Sequence, residues 1–239
     1  MGYREHAPKG QLGELVEGIW TGAGSAYPAR VLPDGCMDLI AMDDSVIVAG
    51  PDTQPFLTGA TTYAMGLRFR PGVLPRLLGT PASELRNRRV RLTDLTSIPQ
   101  RHSASLIDIT NALAARPTSQ ETAPWSTGQL RHVTRALAAG AAVNSVADDL
   151  GWSTRTFQRQ CQAVFGYGPA VLRRILRFRR ATRWLATGIP LSEVAADAGY
   201  ADQPHMHREV RALAGVAVNQ VVSGANRSTL VPSGSETVA

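Results

Sequence analysis

The hydrophobic pattern of the C-terminal half of the chain contains the same short unit twice. Residues 144–152 and residues 191–200 each form an amphipathic segment that ends in a glycine followed by an aromatic residue. A further segment follows each unit, over residues 154–165 and 203–214, and its hydrophobic residues recur at steps of three and four. The pattern predicts two pairs of helices around tight glycine-containing turns, which is the helix-turn-helix arrangement.

Similar spacing predicts the helices around these pairs. One helix is expected over residues 102–115, another over residues 127–139, and a third of about 19 residues from Pro169 to about residue 187. At 1.5 Å per residue the third helix is roughly 28 Å long, close to the roughly 34 Å of one duplex turn. A helix of that length can hold two recognition helices in successive major-groove segments of one DNA face.

The first 95 residues have a different pattern, in which short hydrophobic runs alternate with turn signals rich in Gly, Pro and Asp. Strands are predicted over residues 14–21, 29–32, 36–42, 45–49 and 63–69, and short helices over residues 73–78 and 83–87. The sequence therefore predicts an α+β protein. A small β-rich N-terminal domain, a barrel or sandwich with short helices, precedes an all-α domain with two helix-turn-helix units joined by a long helix.

The domain boundaries follow from composition. Residues 116–124 have the Pro, Ser and Thr content of a linker, and the C-terminal residues contain little hydrophobic sequence. We predict four segments. They are a regulatory, effector-binding or dimerisation domain over residues 1–100, a helix and linker over 101–124, the double helix-turn-helix domain over 125–224, and a disordered tail over 225–239.

Positive charge is concentrated in the half with the repeated units. Arg and Lys exceed Asp and Glu by one for residues 1–118 (12 against 11) and by five for residues 119–239 (13 against 8). This asymmetry suits a polyphosphate partner such as double-stranded DNA. Nearly all of the basic residues are Arg, so coding bias is the alternative explanation.

Other features of the composition exclude several classes of protein. No hydrophobic run reaches the roughly 18 residues of a membrane span, and the N-terminus lacks the core of a signal peptide, so we expect a cytoplasmic protein with no membrane partner. The two cysteines, Cys36 and Cys161, lie in different predicted domains. They indicate neither a disulfide framework nor a zinc module, and we expect reduced thiols, no metal site and no cofactor.

The N-terminal half contains residues that could serve either chemistry or ligand binding. The candidates for enzymatic chemistry are Asp34, Asp38, His6 and Cys36. No His, Asp and nucleophile set occurs at a spacing that demands catalysis, and Asp34 precedes a glycine as turn residues do. Arg68 and Arg70 share one face of a strand, where they can hold an anionic effector or pair with Asp34 or Asp38. The candidate effector-binding residues are Trp20, Cys36, Met37, Met65, Arg68, Phe69 and Arg70; core packing explains the hydrophobic ones equally well.

Individual residues of the two units match a known family. The matches are Val146, Ala147, Gly151, Ser153, Arg159, Gly166, Pro169, Arg177 and Ala181 in the first half, and Glu193, Val194, Ala195, Ala198, Gly199, Tyr200, Gln203, His205, Arg208 and Gly215 in the second. With them, residues 127–222 resemble the DNA-binding domain of AraC/XylS-type transcriptional regulators. Leu172, Pro204, Val210 and Val218 depart from the family pattern. The second unit therefore fits the family less closely than the first.

A second resemblance covers residues 3–95. It rests on Leu-Pro-Asp-Gly-Cys-Met-Asp-Leu at residues 32–39 and on Gly-Leu-Arg-Phe-Arg-Pro-Gly at residues 66–72. These motifs resemble the N-terminal domain of a poorly characterised subgroup of AraC-type regulators. The resemblance implies an effector-binding or dimerising domain and names no ligand.

Helix geometry separates the buried side of each recognition helix from the side that faces DNA. The buried stripes are Phe157, Cys161 and Val164 in the first helix, and Met206, Val210 and Leu213 in the second. The DNA-binding candidates lie on or beside the opposite sides, and they are Arg155, Gln158, Arg159, Gln162, Gln203, His205, Arg208 and Arg211. Arg pairs bidentately with guanine, and Gln pairs with adenine. Arg159 and Arg208 can instead bridge to acidic residues of the preceding helix.

The main hypothesis is a sequence-specific transcriptional regulator without enzymatic activity, modulated by a small molecule at its N-terminal domain. Its expected partners are double-stranded DNA, RNA polymerase, an unknown small-molecule effector and a second copy of the chain. Two alternatives remain open. One is an enzyme or DNA-repair regulator with chemistry in the N-terminal domain, and the other is a protein-interaction adaptor.

Overall fold

The computed structural model describes residues 3–25, 29–59, 61–98, 105–222 and 230–231. The strands are β1 (Arg4–His6), β2 (Val16–Ser25), β3 (Arg30–Val31), β4 (Met37–Met42), β5 (Ser45–Ala49), β6 (Phe56–Leu57), β7 (Thr61–Phe69), β8 (Arg89–Arg91) and β9 (Leu230–Val231). The helices are α1 (Leu12–Leu15), α2 (Val73–Leu78), α3 (Ala82–Leu85), α4 (Leu106–Ala114), α5 (Thr127–Ala138), α6 (Val143–Asp149), α7 (Thr154–Phe165), α8 (Pro169–Ala186), α9 (Leu191–Asp197), α10 (Gln203–Ala214) and α11 (Val218–Val222). The predicted order of a β-rich part followed by a helical part is confirmed.

Six strands of the β-rich part form one antiparallel sheet in the order β1-β2-β7-β4-β5-β8. The long strand β7 lies between β2 and β4, and its Phe69 pairs with Val16 on one side and Met37 on the other. Strands β6, β3 and β9 form a separate three-stranded sheet. The remaining residues of the tail and residues 99–104, at the start of the predicted helix over 102–115, lie outside the described residues.

The start of the predicted strand over residues 14–21 is wrong. Helix α1 ends at Leu15, and β2 begins at Val16. The reason is a turn: Gly10 has a φ of +61°, and its carbonyl accepts a hydrogen bond from Gly13 N–H at 3.1 Å. The chain therefore closes one helical turn before it becomes extended.

Both recognition helices have the predicted bounds, because their caps are local. The Ser153 side chain accepts a hydrogen bond from Thr156 N–H at 3.2 Å, and the Asp202 side chain accepts one from His205 N–H at 2.6 Å. Each helix ends at a glycine in the left-handed region, Gly166 or Gly215. Sequence alone therefore fixes where α7 and α10 begin and end.

The β-rich and helical parts share one hydrophobic core. Gly72 lies so close to the helical part that a Cβ atom there would be 2.7 Å from Val164 and 2.9 Å from Leu130. At Gly166 an added Cβ would be 2.6 Å from the ring of Pro51. The end of α7 and the adjoining α5 are thus packed directly against the β-rich part.

The region predicted as a linker leads into this core. Trp125, directly after it, is 1% exposed, and its ring centroid lies 5.6 to 5.9 Å from those of Trp152, Phe157 and Phe165. The backbone carbonyl of Trp125 accepts a hydrogen bond from Arg76 of α2 at 2.7 Å. The connection between the parts is therefore anchored at its C-terminal end.

Candidate nucleic-acid interface

Helix α7 presents its polar side to solvent. Phe157, Cys161 and Val164 are buried, as predicted from their spacing. The opposite side carries four exposed residues, Arg155, Gln158, Arg159 and Gln162. Neither arginine makes a side-chain hydrogen bond or ion pair with another described residue, so both guanidinium groups are available to an external partner.

Helix α10 repeats this arrangement with one difference. Met206, Val210 and Leu213 are buried, and Gln203, His207, Arg208 and Arg211 are exposed. Within the described part of the chain, Arg208 forms no ion pair, and the same holds for Arg159. The ion pairs with acidic residues of the preceding helix, which the sequence allowed for these two arginines, are therefore not formed among the described residues.

His205 departs from the outward orientation expected of it. Its ring lies edge-on to Tyr200 with centroids 5.3 Å apart, and its Nδ1 accepts a hydrogen bond from Ala201 N–H at 3.3 Å. Its Nε2 lies 3.8 Å from Glu209 Oε1, and its side chain is 31% exposed. Neighbouring protein groups therefore hold the imidazole partly against the domain.

Glu209 is a structural residue of this interface that the sequence reasoning missed. It is 9% exposed, and Oε1 accepts hydrogen bonds from Arg177 at 2.6 Å and from Arg174 at 3.2 Å, both on α8. The Arg177 guanidinium also lies 4.6 Å from the centre of the Tyr200 ring. Charge and ring contacts thus fasten α10 to α8. The available signal was the position of Glu209 directly beside the buried stripe of α10.

The six arginines of α8 all contact protein groups. Arg173 donates to the carbonyl of Ala141 at 3.5 Å, and Arg180 donates to that of Ala198 at 2.7 Å. Arg179 forms an ion pair with Glu17 of β2, and Arg183 lies 3.6 Å from the same carboxylate. Helix α8 therefore contacts three neighbours: the loop between α5 and α6, the second helix-turn-helix unit and the β-rich part.

The exposed sides of the two recognition helices carry only positive charge among ionisable groups. Helix α7 contains no acidic residue, and the single acidic residue of α10, Glu209, is buried. The cations on these faces are Arg155, Arg159, Arg208 and Arg211. A surface of this kind attracts phosphate groups, and its Arg and Gln side chains have the donor geometry that reads base edges.

The seven residues proposed for effector binding have different environments. Cys36, Met37 and Phe69 are buried in the core, whereas Trp20 and Met65 are half-buried on the sheet. Arg70 donates a hydrogen bond to the Gly13 carbonyl at 2.9 Å and lines a cleft beside the helical part. The structure therefore does not gather these residues around one cavity.

Cys36 has the properties of a structural thiol. Burial raises its pKa well above the usual value, and the charge of Asp34 acts in the same direction. The Sγ atom lies 3.4 Å from a carboxylate oxygen of Glu17. A thiol that remains protonated in this way is a poor nucleophile. Cys161 is also a free, buried thiol with a raised pKa.

Arg68 is the centre of a buried charge cluster. It is 2% exposed, and its guanidinium lies 2.9 Å from Glu5, 3.2 Å from Asp34 and 3.6 Å from Asp38. Asp38 also accepts a hydrogen bond from Trp20 Nε1 at 3.0 Å. The predicted pairing of Arg68 with Asp34 and Asp38 is confirmed. Three carboxylates share one cation, so their mutual repulsion favours the protonated form of one of them.

We expect Asp38 to make the stability of the protein depend on pH. Burial raises the pKa of Asp38 to about 7, Arg68 opposes the shift and Asp34 adds to it. Because the folded pKa is raised, the stabilisation is complete below the unfolded value near 4 and is lost as pH rises through 7. Urea unfolding measures the free energy of unfolding at pH 5 and at pH 8. Between these pH values it should fall further in the unsubstituted protein than in Asp38→Asn, and the difference between the two falls should be on the order of 2 kcal/mol.

The asparagine variant is a suitable control, because its amide oxygen can still accept from Trp20. Contributions from groups outside this charge cluster are common to both proteins, so they cancel in the difference. Parallel pH profiles for the two proteins would contradict the expected role of Asp38.

Comparison with known proteins matches the β-rich part and the helical part to two different families. Residues 130–223 match a family described as a helix-turn-helix domain, and residues 4–91 match a family described as a domain of unknown function, DUF6597. No curated protein matches the chain. No helix within the described residues is both long enough and hydrophobic enough to span a membrane.

Several solved structures are also similar to the chain. The C-terminal domain of AraT, a response regulator from Geobacillus stearothermophilus, has 20% identity and a TM-score of 0.36, covering 45% of this chain and 88% of that one. ToxT from Vibrio cholerae has 8% identity and a TM-score of 0.49, covering 93% of this chain and 98% of that one. ToxT bound to an unsaturated fatty acid has 8% identity and a TM-score of 0.45, with coverage of 93% and 95%.

Proposed function

We propose that this DNA-binding transcription regulator, whose residues 130–223 form a helix-turn-helix domain of the AraC type, reads two successive major-groove segments on one face of a duplex. One observation carries the proposal. Helices α7 and α10 both pack against the single helix α8, and both expose arginines that have no partner in the described protein. The exposed cationic faces of α7 and α10, both held by α8, can therefore bind two successive major-groove segments of a duplex.

The length of α8 is consistent with this arrangement. Its 18 residues extend over roughly 27 Å at 1.5 Å each. One turn of B-form DNA is about 34–36 Å long, and the side chains of the recognition helices supply additional reach. In this proposal Arg155, Gln158, Arg159 and Gln162 face one groove segment, and Gln203, Arg208 and Arg211 face the next. His205 would act at the edge of the second segment.

The β-rich part is proposed to regulate this binding. It packs against α5, α7 and α8 through Gly72, Gly166 and the Glu17–Arg179 ion pair. A change in the position of the β-rich part would therefore shift the helices that hold both helix-turn-helix units. A small molecule that prefers one arrangement would alter affinity for DNA. A homodimer, recruitment of RNA polymerase and a cytoplasmic location complete the proposal.

Selection from a random duplex pool tests the proposal directly. Full-length protein should enrich sequences with two specified patches whose centres lie about 10 base pairs apart. The best sequence should bind at least about 1,000-fold more tightly than a scrambled duplex at the same salt concentration. Affinity for both should fall steeply with added salt, because phosphate contacts release counterions. A pool that remains unenriched would exclude sequence-specific regulation, and a single enriched patch would exclude the two-segment geometry.

A further inference from the structure

A cleft of about 400 Å³ lies between the β-rich part and helices α5 and α8. Its walls come from α1, β2, the turn after β7 and the start of α2 on one side, and from α5 and α8 on the other. The charged residues that line it are Glu14, Glu17, Arg70, Arg131, Arg135, Arg179 and Arg183. A neighbouring cleft of about 360 Å³ shares Glu17, Arg179 and Arg183 and extends toward Trp184. Five guanidinium groups and two carboxylates therefore face the first cleft.

The two carboxylates do not neutralise the five arginines. Glu14 pairs with Arg131, and Glu17 pairs with Arg179 while lying 3.6 Å from Arg183. Arg70 donates to a backbone carbonyl, which carries no net charge. The side chain of Arg135 has no hydrogen-bond or ion-pair partner among the residues that the structure describes. The cleft consequently has an excess of three positive charges.

Two further observations describe the environment of Arg179 and Arg183. Arg179 is 8% exposed, and its Nε is buried without a hydrogen-bond acceptor in the described structure. The pKa of Arg183 is lowered, first by burial and then by the neighbouring charge of Arg179. Arg183 is about half exposed. Neighbouring cations that repel one another are stabilised when an anion binds between them, and hydrogen bonds from Arg to an anion are among the strongest that proteins form.

The rest of the lining is hydrophobic. Pro71, Val73, Leu130 and Ala138 lie in the first cleft, and Leu176 and Trp184 lie in the second. The volume of the first cleft falls within the roughly 300–1,000 Å³ of small-molecule sites. A ligand that fits these walls combines an anionic group with a hydrophobic body.

We propose that this cleft binds a small organic anion, a carboxylate or sulfonate on a hydrophobic body, through Arg135 and Arg183. Such an anion competes with Glu17 for Arg183 and therefore acts on the contact between the β-rich part and α8. Its regulatory meaning rests on the proposed function, because α8 carries both recognition helices. Binding itself does not depend on DNA and is testable without it.

The test uses a matched pair of fluorescent probes with the full-length chain. One probe is the anion 8-anilinonaphthalene-1-sulfonate, and the other is N-phenyl-1-naphthylamine, the same molecule without the sulfonate. The sulfonate should bind saturably with one site per chain. Arg135→Gln and Arg183→Gln should each weaken it by about fivefold to tenfold, as expected for the loss of one charge-assisted hydrogen bond. The neutral probe should bind more weakly and respond to neither substitution.

Arg91→Gln is the control, because Arg91 is exposed on β8 and does not line the cleft. It removes the same charge and should leave sulfonate affinity unchanged. Far-UV circular dichroism establishes that each variant is folded before titration. The proposal is overturned by an absence of saturable sulfonate binding, by equal losses in Arg91→Gln, or by a neutral probe that binds as tightly as the sulfonate. Since no DNA is present, these outcomes leave the proposed DNA recognition untouched, and failure of duplex binding would leave the cleft result standing.

Discussion

Replacing Gly72 by Val will lower the free energy of unfolding of the whole protein by roughly 2–5 kcal/mol. Gly72 has a φ of +79°, a conformation that strains any residue with a Cβ atom and strains branched residues most. A Cβ at this position would also lie 2.7 Å from Val164 and 3.0 Å from Phe165, both buried. The new side chain must therefore separate the β-rich part from α7. Urea unfolding followed by circular dichroism measures the loss.

Gly79→Val separates the two causes of this destabilisation. Gly79 has a φ of +73° at the end of α2, but no atom lies within 4 Å of an added Cβ. This control should cost only the backbone strain, roughly 1–2 kcal/mol. If Gly72→Val costs no more than Gly79→Val, the close packing between the two parts contributes little to stability.

Arg155→Ala and Arg159→Ala will each weaken binding to the selected duplex by about 5-fold to 150-fold, the range for loss of a bidentate base contact. Both side chains are exposed on α7 and lack a protein partner among the described residues, so the folded protein should tolerate their removal. Gln203→Ala should cost less than about fivefold, because Pro204 and Val218 depart from the family pattern around the second unit. Fluorescence anisotropy at one salt concentration measures all three variants.

A scrambled duplex distinguishes base reading from phosphate binding in these variants. Loss of a base contact reduces affinity for the selected duplex and relaxes preference at one position. Loss of a phosphate contact weakens both duplexes alike and reduces the salt slope by about one. Arg91→Ala, on strand β8 and outside both recognition helices, should change neither affinity. Equal losses from the two recognition helices would contradict the ranking of α7 above α10.

The sequence was most informative where structure depends on neighbouring residues. The bounds of α7 and α10 followed from Ser153, Asp202 and the spacing of hydrophobic residues, all within one or two helical turns. The same spacing identified the exposed faces, since a residue opposite a buried stripe faces solvent. Strands β1, β6, β8 and β9 were missed, because two or three residues are too few to establish an alternating pattern.

Contacts between distant residues could not be anticipated in the same way. Glu17 and Arg179 are 162 positions apart, and Arg131 and Glu14 are 117 apart. Each of these four residues has the sequence context of an ordinary surface charge, and no local pattern indicates which of them pair. Gly72 was noted within a motif, but its closeness to Val164 depends on how the two parts pack. The cleft between them arises from the same packing, so it could not be predicted from the sequence either.

The attachment of α10 to α8 through Glu209 also constrains the DNA that such a regulator can use. Arg174 and Arg177 hold this carboxylate, so the second helix-turn-helix unit cannot swing freely about the connecting helix. Each base pair inserted between two half-sites rotates the second by about 35° around the duplex axis. A protein with a flexible hinge can follow such an insertion, whereas this one would have to twist the DNA or lose one of its contacts. Under the proposed function, the spacer in its operators should vary in sequence and keep a constant length.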